Sequence, residues 1–209
     1  LSDQVDWMEQ KYGYDFNENF LFNLIGKQYV VPIWVNMTMD WYRVSTWEEH
    51  AGMTPEAPTW DEFLEGVQAV DEKSDRRGTV VPGAQTLMST EYYIDHMFQN
   101  GGSIFSRNSS GEVEVVMDKG ENRKKTKEVL QYIGKLYENS IDASGYGYGK
   151  QIESFWSEQV NETKYFGARP LQQAVSNNEE VAKDTGLMHP PSKETSNHQA
   201  FSEGWVRFD

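Results

Sequence analysis

Trp34 and Asn36, together with the run Glu91, Tyr92 and Tyr93, place flat apolar rings beside an amide and a carboxylate. That pairing suits a sugar: the C–H face of a pyranose stacks on an aromatic ring, and its hydroxyls take the polar groups. The densest example is GKQYVVPIWVNMTMDWYR, Gly26 to Arg43. Here Trp34, Trp41 and Tyr42 are interleaved with Gln28, Asn36, Thr38 and Asp40. A core strand would read more apolar, and a surface strand would not carry two tryptophans. Each ring taken singly also fits a plain packing role, since a buried indole or phenol needs only one polar partner. Clustering turns the reading toward a site, provided the fold brings the two segments together.

Other chemistries find less support. There is no G-x-S-x-G elbow, no H-E-x-x-H pair and no phosphate-cradling G-x-x-x-x-G-K-[ST] loop. Gly145, Gly147 and Gly149 form G-Y-G-Y-G without a preceding apolar strand, which reads as an ordinary loop. His50, His96, His189 and His198 are scattered without ligand spacing, so no metal is expected, and no cofactor either. Carboxylates are so numerous that any pair chosen for glycoside hydrolysis carries no weight. With no cysteine, disulfides and thiol nucleophiles are excluded.

Acidic residues number 33 against 19 basic ones, a net charge of -14. Such a surface repels nucleic acid and anionic membrane, and it suits strong salt, where screening relieves self-repulsion. The aromatic share of 13% argues for an ordered domain rather than disorder. No apolar run is long enough to span a bilayer. The opening LSDQVDWMEQ reads as an amphipathic segment and not as a leader, which implies a chain cut from something longer.

The elements that must position these residues alternate between helix and strand. SDQVDWMEQKYG reads as a helix stopped by Gly13, KQYVVPIWV as a strand bent at Pro32, and TMDWYRV as a second strand. STWEEHAGM reads as a short helix capped by Ser45 or Thr46 and ended by Gly52. APTWDEFLEGVQAVDEK carries a capping box, Thr59 with Glu62, and Phe63, Val67 and Val70 at helical spacing. GTVVPGA is expected as a buried strand, TEYYIDHMFQNGG as a helix, and SIFS with VEVVM as short strands about a Ser-Ser-Gly turn. A long helix over ENRKKTKEVLQYIGKLYENS, a strand TKYFG, a helix RPLQQAVSN and a strand FSEGWVRF complete the order. This alternation predicts an α/β layered domain.

The order of motifs resembles the extracellular sugar-binding proteins of ABC importers, the maltose-binding type. The segments that carry the resemblance are GKQYVVPIWVNMTMDWYR, HAGM followed by PTWDEFLEGVQAV, FQNGGSIF and KYFGARPLQ, over nearly the whole chain from Asp6 to Trp205. TWDEF with the downstream NGG is the most specific. The resemblance implies a periplasmic-binding-protein-like (type II) α/β lobe, a mixed sheet flanked by helices. Residues 1–209 then correspond to the second of two lobes that close on a ligand.

By the same resemblance the sugar contacts fall on Trp34, Asn36, Glu91, Tyr92 and Tyr93. Arg169 stands where the family has a stacking tryptophan, which makes an acidic or differently shaped glycan plausible. Trp60 falls to the scaffold. The implied function is non-catalytic carbohydrate binding for delivery to membrane permease subunits, by a monomer with no nucleic-acid partner. The implied location is extracellular or periplasmic, with lipid anchoring to the outer face of the cytoplasmic membrane as a further expectation. The alternatives are a glycan-active enzyme or accessory binding module, and a sensor or adhesin domain on the same fold.

Overall fold

The computed structural model describes the backbone of residues 2–13, 23–24, 27–28, 30–197 and 199–206, and the side chains of residues 3, 5–13, 36–197 and 199–200. Within it the chain divides into two compact units, Leu1–Met37 with Ala200–Asp209, and Thr38–Gln199.

In the first unit, helix α1 (Ser2–Tyr12) ends where Gly13 takes a φ of 68°, the left-handed conformation that glycine adopts without strain. Two short antiparallel strands follow, β1 (Asn23–Leu24) and β2 (Lys27–Gln28). The two strands expected on either side of Asn36 are one, β3 (Val30–Arg43). Its first half pairs antiparallel with β8 (Ala200–Val206), from Val30 opposite Val206 to Met37 opposite Ala200. The predicted bend at Pro32 is absorbed as a register shift between Pro32 and Trp34, since proline cannot donate to the ladder.

In the second unit the other half of β3 lies between β6 (Glu162–Phe166) and β7 (Thr185–Met188), antiparallel to both. Parallel pairing enters as isolated bridges, Arg77 with Val160 and Thr79 with Ser140. In the stretch GTVVPGA, where a strand is predicted, the Thr79 bridge is all that forms; Thr79, Val80 and Val81 are buried. Successive residues of β3 face opposite sides of the sheet, and each side has its own core. Tyr42 joins Trp47, Trp60, Phe63, Val67, Tyr132 and Leu136, while Trp41 joins Ile152, Phe155, Val160, Tyr165 and Val181.

The first of these cores lies under α2 (Val44–His50), α3 (Trp60–Lys73), α4 (Leu87–Gln99) and α5 (Gly120–Glu138). Helix α3 forms as its sequence predicts. Glu62 N–H donates to Thr59 Oγ1 at 3.3 Å and Thr59 N–H donates back to Glu62 Oε2 at 2.7 Å. The Thr59 N–H and the Thr59 hydroxyl, which donates to the same oxygen at 2.8 Å, hold the Glu62 carboxyl below its ordinary range. Trp60 is buried, stacks on Tyr132 at 4.0 Å and donates its indole N–H to Gln99 Oε1 at 2.8 Å, a scaffold role.

Helix α2 departs from expectation. Neither Ser45 nor Thr46 caps it; both lie inside, and the first free amides are taken by a residue 139 positions away. Asp184 Oδ1 accepts from Ser45 N–H at 2.8 Å, its Oδ2 accepts from Ser45 Oγ at 2.7 Å and Arg43 Nε at 2.9 Å, and its carbonyl accepts from Val44 N–H at 2.9 Å.

The second core is closed by α6 (Tyr148–Trp156), α7 (Arg169–Asn177) and α8 (Glu179–Lys183). A hairpin of β4 (Phe105–Arg107) and β5 (Val113–Val115) forms as expected from the turn residues between them. Helix α8 and strand β7 have no counterpart in the sequence reading.

Candidate functional site

Glu91 lies on the first turns of α4, Tyr148 opens α6, Tyr165 is near the end of β6 and Arg169 opens α7. A strand end and three helix starts thus meet, which is where α/β folds build ligand sites. The chain is led there by punctuation: Gly147 precedes α6, Gly167 turns β6 into α7 with a φ of 64°, and Pro170 fixes the first turn of α7.

The contacts run in a chain. Tyr148 Oη donates to Glu91 Oε2 at 2.8 Å. The Tyr148 ring meets Tyr165 edge to face at 5.9 Å and 82°, and Tyr165 packs against Phe166 at 6.3 Å. The exposed Arg169 guanidinium lies beside the Tyr165 hydroxyl, and its charge offsets part of the rise that burial gives the phenol. Glu91 is 7% exposed, and among the described residues no donor meets its second oxygen, Oε1. Burial pushes the Glu91 carboxyl up, and the Tyr148 hydrogen bond draws it partly back. Burial, then Glu91, pushes the Tyr148 phenol up, so its proton stays on to donate.

A small apolar hollow of about 10 Å³ opens beside Glu91, lined by Thr38, Met88, Tyr92, Lys164, Tyr165 and Phe166. Its floor is rigid. Lys164 Nζ donates to Asp40 Oδ2 at 2.9 Å and to Asp95 Oδ2 at 3.0 Å, with all three side chains at most 5% exposed. Burial alone would lower the Lys164 ammonium, but Asp40 and Asp95 outweigh it and hold it above its ordinary range. Asp95 Oδ1 also accepts from Thr38 Oγ1 at 2.9 Å and from Gln199 N–H at 2.8 Å.

The six residues expected from sequence are therefore placed unequally. Glu91 and Arg169 lie on one face, joined through Tyr148 and Tyr165, and Tyr92 lines the hollow beneath them. Tyr92 is buried and packs on His96 at 4.6 Å, so its ring belongs mostly to the core. Tyr93 turns away: its hydroxyl donates to Thr126 Oγ1 on α5 at 3.1 Å and approaches Met97 Sδ at 3.8 Å. Asn36 is half-buried on β3 in the other unit, opposite Phe201, and the side chain of Trp34 lies outside the described residues, as does His198. Tyr148 and Tyr165 are the residues that sequence reasoning missed. The signal for Tyr148 was its position after Gly147 at a helix start, inside the G-Y-G-Y-G run read as a loop. Among the described residues, no group of three or more His, Asp or Glu side chains is arranged to hold a metal ion.

Residues 5–206 match the profile of a family described as bacterial extracellular solute-binding protein. No match to a curated protein was found. Among solved structures, the maltose-bound MalE3 of T. maritima is similar at 19% identity with a TM-score of 0.75, over 97% of this chain and 50% of that one. An ABC transporter solute-binding protein from Agrobacterium vitis S4 with bound D-mannitol is 20% identical with a TM-score of 0.68, over 93% and 48%. A sugar transporter from Arthrobacter chlorophenolicus A6 with bound laminaribiose is 19% identical with a TM-score of 0.69, over 95% and 48%. The chain spans about half the length of these solved relatives.

Proposed function

We propose that this chain, which belongs to the bacterial extracellular solute-binding protein family, holds a carbohydrate against the face of Glu91, Tyr148 and Arg169 for delivery to an ABC importer. Its α/β fold is that of the type II periplasmic binding proteins. Residues 1–209 are read as one lobe of a two-lobed protein, which fits the half-length coverage of the relatives. The family is one of solute-binding proteins, and the chain is taken to bind its sugar without turning it over, as a monomer and without nucleic acid. Among the described residues no helix is long and apolar enough to cross a membrane; attachment through a lipid at the outer face of the cytoplasmic membrane belongs to the same proposal.

The observation that carries the reading is the pair Tyr148–Glu91. The phenol is fixed by its own hydrogen bond, so the partly exposed ring is presented as a platform without further ordering cost. The carboxylate is fixed by the same bond and keeps its second oxygen for a sugar hydroxyl, while Arg169 offers donors on the other side of the rings. Bound maltose, D-mannitol and laminaribiose in the structural relatives support the ligand class.

The test is calorimetric titration with maltose, laminaribiose and D-mannitol. Tyr148→Phe, which unties Glu91, and Arg169→Ala should each weaken whichever sugar binds by about tenfold, the worth of one hydrogen bond or stacked contact. Tyr93→Phe should leave affinity unchanged, because its hydroxyl serves α5. Equal affinity in Tyr148→Phe and the wild type would remove this face from the site, and steady hydrolysis of an oligosaccharide by the pure protein would replace binding by catalysis.

A further inference from the structure

Acidic side chains outnumber basic ones by 33 to 19, so a basic side chain on this surface finds a partner easily. Most do. Arg43, Arg76, Arg77, Lys119, Lys124, Lys125, Lys150, Lys164, Lys183 and Lys193 are ion-paired. Lys73 and Arg107 donate to carbonyls, Arg169 lies beside a phenol, and Lys11 lies over a ring. Among the described residues the charged ends of Arg123, Lys127 and Lys135 are the ones with no such contact, and all three are on α5.

Their placement is not scattered. At 100° per residue, Arg123, Lys127, Leu130, Gly134 and Tyr137 fall within an arc of about 80°, on the side opposite the buried Val129, Tyr132 and Leu136. All five are exposed, Leu130 by 56% and Tyr137 by 44%. Their spacing of four, three, four and three residues is that of a helix seam. Gly134 sits inside this arc, in the interior of a 19-residue helix. A Cβ built there meets nothing within 4 Å, so nothing in this fold requires glycine, and alanine would favour the helix. A glycine in mid-seam lets another backbone approach closely.

We propose that the outer face of α5 is a docking seam for an acidic amphipathic helix of a partner protein. The partner's apolar residues would pack on Leu130 and Tyr137, its backbone would pass closest at Gly134, and its carboxylates would meet Arg123, Lys127 and, on the flank, Lys135. A second copy of this chain fits less well, because its net charge of -14 opposes approach. The inference is independent of the sugar reading.

The experiment uses two synthetic 18-residue helical peptides with the same Leu/Ala stripe, one with Glu and one with Lys at the flanking positions. The Glu peptide should shift the NMR signals of Leu130, Gly134 and Tyr137, and the Lys peptide should not. Binding should weaken at least tenfold in Arg123→Glu/Lys127→Glu, and likewise in Gly134→Leu, with both variants still folded because the sites are exposed. It should also weaken as salt rises. Equal binding of both peptides, no binding at millimolar peptide, or equal binding to the charge-reversed variant would overturn the proposal. So would a concentration-dependent dimer abolished by Leu130→Glu, or preferential binding to anionic phospholipid vesicles.

Discussion

His96 is enclosed by rings: Tyr92 at 4.6 Å, Tyr132 at 5.6 Å and Trp60 at 5.8 Å, and its Nδ1 donates to the Tyr92 carbonyl at 2.7 Å. Burial, followed by the nearby Lys164 charge, lowers its pKa from 6.5 to about 4. The sign follows from which state binds the proton. Above pH 6.5 the imidazole is neutral folded and unfolded, and it costs nothing; between 6.5 and about 4 the unfolded chain takes up a proton that the folded one refuses. Stability from this residue therefore falls as the pH drops through that window, by about 3 kcal/mol in all. Urea unfolding at pH 7 and pH 4.5 should show a steeper loss in the wild type than in His96→Phe. Parallel losses in the two proteins would mean that His96 titrates folded as it does unfolded. The same enclosure explains why Tyr92 was hard to place from sequence. Tyr92 and Tyr93 are adjacent and chemically alike, yet they lie about 100° apart on α4, so one lines the hollow and the other meets α5.

Helices α2 and α3 show what kind of element is legible in a sequence. Thr59 and Glu62 are three residues apart, so the cap of α3 is a local event that the one-letter code displays. The cap of α2 is Asp184, which also holds Arg43 and which no local pattern links to Ser45. Tyr148 and Glu91 are 57 residues apart, and the site they form is hidden for the same reason: each residue type was visible, and the hydrogen bond joining them depends on how β6, α6 and α4 pack. Strand β3 fails differently, because Pro32 and the polar residues after it argue for a break that a register shift accommodates. The α2 cap is testable. Asp184→Ala takes the side-chain acceptor from the Ser45 amide, leaves the Val44 bond to the residue 184 carbonyl in place, and strips Arg43, 7% exposed, of its better partner. It should cost about 2 kcal/mol, against a few tenths for Ser45→Ala, which loses one exposed hydroxyl bond. Equal and negligible losses in denaturant melts would show that water caps α2 as well as Asp184 does.

At the scale of the whole molecule the net charge of -14 sets two populations of electrostatic interaction against each other. Pairs such as Lys183 with Glu179 and Glu180 are exposed by 60% or more on both sides, so each adds little and salt weakens it. The Lys164 pairs with Asp40 and Asp95 are at most 5% exposed and are screened far less. Most of the remaining surface carboxylates among the described residues lie in no ion pair, and their mutual repulsion destabilises the compact state. Salt removes that repulsion as the screening length falls from about 30 Å at 0.01 M to about 3 Å at 1 M. Because unpaired acids outnumber exposed pairs, the repulsive term wins, and the melting temperature at pH 7 should rise by several degrees from dilute to molar KCl. Salt also strengthens apolar burial in a way that does not depend on protein charge, so the series must be repeated at pH 4, where many carboxylates are protonated. Screening predicts a much smaller rise there. A rise of equal size at both pH values would assign the effect to burial, and a flat or falling midpoint at pH 7 would show that the acidic surface is not under strain in dilute salt.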